Sequence, residues 1–167
     1  MNKINLLLGN SDRRVGQLLE SLVREECREH GVVICQRTGS VDELIYFGCT
    51  EQFDLAIICP ENLSAQRGLI TSTLNPWSQA VRAVRAIKND RKTRIIVLGT
   101  LPERELDLLE AGADALLRKL DCDQFKSAVR KVLDLYAAPQ ATVTQPRSLG
   151  NSLQRAFQRL LEPSVAE

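Results

Sequence analysis

Along the chain, five short apolar runs alternate with five stretches whose apolar residues recur at helical spacing. The runs are Ile4–Leu8, Val32–Cys35, Leu55–Cys59, Ile95–Leu98 and Ala115–Leu117. They are continuous rather than alternating, the pattern of strands covered on both faces. After the first run, Ser11 and Asp12 cap a helix with the stripe Val15, Leu18, Leu19, Leu22 and Val23. Gly31 is expected to close that helix in the left-handed conformation. Ser40 and Glu43 form a capping box for a second helix, which carries Leu44, Ile45 and Phe47 and weakens around Gly48. Asn75-Pro76 opens a third, with Trp77, Val81, Val84 and Ile87 inward. Thr100 to Glu103 reads as a second capping box, before a helix that buries Leu106, Leu108 and Leu109 and ends at Gly112. Asp121 caps the last helix, with Phe125, Val129, Val132 and Leu133 inward.

Strands that alternate with helices need right-handed crossovers, and the result is a parallel sheet with helices on both sides. The expected fold is therefore a doubly wound, five-stranded α/β domain over residues 1–137. Residues 138–150 turn to Pro, Gln, Thr and Ser, a linker composition. Residues 151–167 form a short tail, amphipathic through Leu153, Phe157, Leu160 and Leu161. The connection from Glu61 to Leu74 is long for a compact domain, and such connections often carry function.

Composition narrows the chemistry. A net charge of +1 gives no bulk field toward nucleic acid or membrane, so neither is expected as a direct partner. No apolar run approaches the roughly 18 residues of a membrane span. His30 is the single histidine, which rules out a multi-histidine metal site and weighs against a histidine triad. The five cysteines, Cys27, Cys35, Cys49, Cys59 and Cys122, have no metal-ligand spacing. Met1-Asn2-Lys3-Ile4 leads directly into the first run without a signal-peptide pattern, so the thiols are expected to be reduced, in a cytoplasm. No metal and no cofactor is expected. No base, nucleophile and orienter converge, so the chain does not read as an enzyme.

The segment "LEAGADALLRKL" (109–120), with "FDLAIIC" (53–59) and "RIIVLGT" (94–100), resembles the receiver domain of two-component response regulators, the CheY-like fold. The resemblance covers residues 3 to 136 and implies strand order 2-1-3-4-5. It also implies phosphoryl transfer from a histidine kinase to an aspartate that ends the third strand. Two acids after the first strand hold Mg²⁺, a Ser/Thr ends the fourth strand and a lysine ends the fifth. Carried over by position, the acids fall on Gly9 and Asn10, and the acceptor falls on Cys59. The Ser/Thr falls on Gly99, with Thr100 one step late, and the aromatic switch residue falls on Leu116. Only the lysine, Lys119, is matched.

These departures share one direction. Mg²⁺ prefers hard carboxylate oxygens, whereas a cysteine sulfur suits soft metals. Without the metal, the charge of a transferring phosphoryl group is not neutralised. The expected function is a non-catalytic pseudo-receiver, a regulatory module working through protein–protein contact in signal transduction or transcription regulation. Two alternatives are an atypical phosphorylatable or small-anion-binding regulator, and a redox switch at Cys59 whose thiol Lys119 and nearby helix N-termini would acidify.

Two surfaces follow. The family's usual output and homodimer face, the fourth helix, fifth strand and fifth helix, would here present Leu106, Glu110, Arg118, Lys126 and Arg130 to a regulator, kinase or transcription component. The third helix and its exit carry Arg82, Arg85, Lys88, Arg91, Lys92 and Arg94 with only Asp90 opposing, a basic docking face for an acidic partner.

Overall fold

The computed structural model describes residues 2–63, 75–89 and 92–135. The linker and tail, Asp90, Arg91 and most of the Glu61 to Leu74 connection lie outside the described residues. The strands are β1 (Lys3–Gly9), β2 (Val32–Thr38), β3 (Leu55–Ile58), β4 (Arg94–Leu98) and β5 (Ala115–Leu117). All pair in parallel, in the order β2-β1-β3-β4-β5. The helices are α1 (Arg13–Glu26), α2 (Val41–Thr50), α3 (Pro76–Lys88), α4 (Glu105–Ala111) and α5 (Cys122–Val132). This is the expected flavodoxin/CheY-like architecture.

Side chains on a strand alternate between faces, so each central strand feeds two cores. Leu6, Leu8, Ile57 and Ile96 pack with Leu19 and Val23 of α1 and with Phe125 and Val129 of α5. Leu7, Ile58, Ile95 and Val97 pack with Leu44 of α2, Val84 and Ile87 of α3, and Leu108 of α4. Four of the helix starts use the side chains the sequence suggests. Asp12 accepts from the N–H groups of Arg14 and Val15, Ser40 from Glu43, Asn75 from Trp77 and Asp121 from Gln124.

Other local expectations are corrected. Gly31 is not left-handed: among the described residues only Gly99, Gly112 and Asp134 have positive φ. Glycine is needed there for space, since a Cβ would lie 2.4 Å from the Asn2 carbonyl oxygen. Thr100 caps nothing. A 3-10 turn, Pro102–Arg104, precedes α4, and no side chain caps either. α4 has only seven residues and presses a narrow stripe, Leu108 and Ala111, onto the core. Leu106 and Leu109 are therefore 66% and 50% exposed, not buried. Leu18 also faces out. β2 is longer than its apolar run and is an edge strand, so Val33 is buried while Val32 and Ile34 are exposed. α2 does not weaken at Gly48, which is buried against Ile87.

The basic strip is partly neutralised from within the domain. The Asp114 carboxylate accepts from Lys88 Nζ at 2.8 Å, from Arg94 Nη1 at 3.3 Å and from the Ile95 N–H at 2.8 Å. Asp42 pairs Arg82 at 3.4 Å. Asp90 is thus not the only opposing acid.

Candidate functional site

The C-terminal ends of β1, β3 and β4 bring Gly9, Asn10, Cys59, Gly99 and Thr100 to one edge of the sheet. Parallel α/β sheets place their ligand crevices along this edge. Gly9 still pairs with Ile58 in β3, and Cys59 donates its N–H to the Gly9 carbonyl at 3.0 Å. A Cβ on Gly9 would meet both methyl carbons of Leu44 at 3.0 Å. An apolar side chain therefore closes in where the family pattern has a carboxylate.

Asn10 is 7% exposed. Its Oδ1 accepts the Asp12 N–H at 2.7 Å, so the amide oxygen is already engaged in the turn into α1. Its Nδ2 makes no hydrogen bond of normal geometry and lies against the Cys59 thiol. Asp12 is committed to the cap of α1. Asp54 sits at the opposite end of β3, accepting the Asn5 N–H. Ser11 donates its hydroxyl to the Asn62 carbonyl, pinning the loop after β1 to the turn after β3.

Cys59 is 4% exposed and follows β3 immediately, ahead of the 3-10 turn Pro60–Asn62. Burial pushes its thiol up to about 12, only partly offset by the Asn10 amide. Burial thus acts against the acidification that a redox switch at Cys59 requires. Burial likewise raises Cys27 and Cys35 to about 11. None of the five cysteines is bridged.

Gly99 has φ +84, a conformation that strains residues with a Cβ. The Gly99 and Thr100 N–H groups both donate to the Leu117 carbonyl. Thr100 is buried, and its Oγ1 makes no hydrogen bond of normal geometry, with the Glu105 carboxylate near it. Thr38, at the end of β2, holds a second such buried hydroxyl, which no local sequence pattern signals. Leu116 is half-buried in β5, and Lys119 is exposed.

Donor chemistry decides the metal question. Gly9 has no side chain, the Asn10 oxygen is engaged, and Cys59 offers a protonated sulfur, so these residues do not fit Mg²⁺. Among the described residues, no group of three His, Cys, Asp or Glu side chains could hold a metal ion. A concavity of about 920 Å³ lies at the other end of the sheet beside Asn5, Gln52 and Lys92.

The expected partner surface divides in two. Leu106 and Glu110 of α4 are exposed, and Arg118, just after β5, pairs with Glu105 at 2.7 Å. Lys126 and Arg130 are turned the other way, to α1, where Lys126 pairs with Glu25 at 2.9 Å and Arg130 with Glu26. The Arg130 guanidinium holds the Glu26 carboxyl below the usual carboxylate range. A partner 104 residues away in sequence leaves no local signal.

No protein-family model and no curated protein matches the chain. Solved structures do. The receiver domain of a sensor histidine kinase from Pseudomonas aeruginosa PAO1, described with a magnesium ion coordinated in its active-site cleft, superposes with a TM-score of 0.57 at 15% identity. That match covers 80% of this chain and 99% of the other. A CheY-like receiver domain from Methanospirillum hungatei JF-1 gives 0.55 at 15% identity, over 80% of this chain and 96% of that one. A two-component response regulator from Clostridium difficile gives 0.56 at 16%, over 81% and 99%. Likeness at such identities establishes architecture, and the fold of this chain is that of a two-component receiver domain.

Proposed function

We propose that this chain is a pseudo-receiver: a non-catalytic regulatory module of signal transduction or transcription regulation that works by protein–protein contact without being phosphorylated. One observation carries the reading. The three positions that would hold Mg²⁺ and accept phosphate are Gly9 under Leu44, Asn10 with its oxygen engaged, and a buried, protonated Cys59. A thiol does not form an acyl phosphate, and an uncompensated phosphoryl charge is not stabilised there. The regulatory unit is residues 1–137, followed by a linker at 138–150 and a tail at 151–167, in a reducing cytoplasm. Its partner contact is the outer face of α4 with β5, where Leu106, Glu110 and Arg118 are exposed. Lys126 and Arg130 drop out of that surface because α1 engages them.

Incubation with acetyl phosphate and Mg²⁺, followed by intact mass, tests the reading. No added phosphoryl group is expected. A mass gain of one phosphoryl group overturns it.

A further inference from the structure

The outward surface of α3 and α4 carries two complementary features side by side. On α3, a shallow concavity of about 570 Å³ is lined by Val81, Arg82, Arg85 and Ala86, among others. Arg85 also lines a smaller one, about 160 Å³, between α3 and α4, beside Arg104 and Asp107. Its side chain makes no ion pair within the described domain. Next to this basic groove stands the α4 ridge. Leu106 is 66% exposed; Glu110, one turn further along α4, and Glu103, in the 3-10 turn before it, are also exposed, without an ion pair among the described residues. A large apolar residue held out in water near two exposed acids lies beside a groove with an apolar floor and two guanidinium groups, that of Arg85 and that of Arg82, which also pairs with Asp42.

We propose that two copies of this chain associate about a two-fold axis running between α3 and α4. The ridge of each copy then enters the groove of the other. A two-fold interface is self-complementary, so each contact is made twice. Both helices descend from the C-terminal edge of the same parallel sheet, so an axis along them sets α4 of one copy over α3 of its partner at matching height. Leu106 seats over Val81 and Ala86, and Glu103 and Glu110 face Arg82 and Arg85. A second copy is the occupant that fits, because one face supplies both the groove and a ridge of opposite charge. This names a second copy as the partner at Leu106 and Glu110, the contact of the proposed function, and rests on that part of it; whether the C-terminal edge of the sheet can be phosphorylated is tested separately by phosphodonor treatment.

The test is the mass of the full chain in solution by sedimentation equilibrium, over roughly 10–200 μM in low salt. The expected result is a mass rising toward twice that of the chain, and falling back in 1 M salt, where the screening length shrinks to about 3 Å. Arg85→Glu and Glu110→Arg should each weaken the dimer at least about tenfold, since like charges then meet at both contacts. Mixing the two variants in equal amounts should restore it, because each copy supplies the charge its partner lost. Leu106→Asp should also give a monomer, with circular dichroism confirming that every variant is folded. A wild-type chain that stays monomeric, single variants that remain dimeric, or a mixture that stays monomeric overturns the proposal. So does a series of larger species, because a two-fold contact closes at two copies.

Discussion

Leu44 stands over Gly9 so closely that a Cβ at position 9 would lie 3.0 Å from both of its methyl carbons. Leu44 is itself fully buried, with little room to retreat. On the proposed reading, hydrophobic packing stands at position 9, where the receiver pattern has a metal-binding carboxylate. Restoring one carboxylate does not restore the site.

Gly9→Asp should therefore destabilise the domain by about 1–3 kcal/mol, the usual range for overpacking. The double variant Gly9→Asp, Cys59→Asp should still gain no phosphoryl group from acetyl phosphate with Mg²⁺. Denaturant titration reads the first result and intact mass the second.

Cys59→Ala removes a small buried group and should cost on the order of 1 kcal/mol. Cys59→Asp should cost more, about 3 kcal/mol or more at neutral pH, because it puts a carboxylate in a site that is 4% exposed. Burial raises the pKa of such a carboxylate, so the extra cost should shrink as pH falls. Urea unfolding at neutral pH and at pH 4 compares the two variants.

The Cys59 thiol is pushed up by burial to about 12 in the fold, against an ordinary value of 9.0. Its contribution to stability is complete below pH 9 and is lost as pH rises toward 12, because the unfolded chain releases the proton first. Each pH unit in that window removes about 1.4 kcal/mol. Cys59→Ala should flatten the alkaline fall of stability by that slope relative to wild type. At pH 7.5 iodoacetamide should label exposed Cys122 well before Cys59, as peptide mass analysis would record.

Gly48 lies where α2 crosses α3, and a Cβ there would sit 2.5 Å from Ile87 Cγ1. Gly48→Ala gains helix propensity, yet it should lower stability by about 1–3 kcal/mol through this contact. Adding Ile87→Val should recover part of the loss. A thermal melt that rises with Gly48→Ala alone would contradict the packing described.

The strands and the helix starts at Asp12, Ser40, Asn75 and Asp121 were readable in the sequence because strand runs and caps are local patterns, whereas the sheet order followed only from the resemblance to receiver domains. Thr100 was misread because its signal was also local: a residue with a good cap's chemistry turned inward once Pro102 wound the chain into a 3-10 turn. Gly31 was misread because its need for glycine comes from the Asn2 carbonyl, which belongs to another element. At the candidate site, the replacements at Gly9, Asn10 and Cys59 could be read by position. What stands over them could not, since Leu44 arrives from α2. The same limit applied to Lys126 and Arg130, whose acidic partners sit on α1.

The carboxylate of Asp114 makes three contacts to two elements: to α3 through Lys88, and to β4 through both the side chain of Arg94 and the amide of Ile95. A corner tied this way cannot fray one element at a time. Release of β4 from the turn before β5 must also free the end of α3, so these segments should open together and exchange their amide hydrogens as one block. The acid that quiets part of the basic strip is thereby also the clasp that makes this end of the sheet a single kinetic unit.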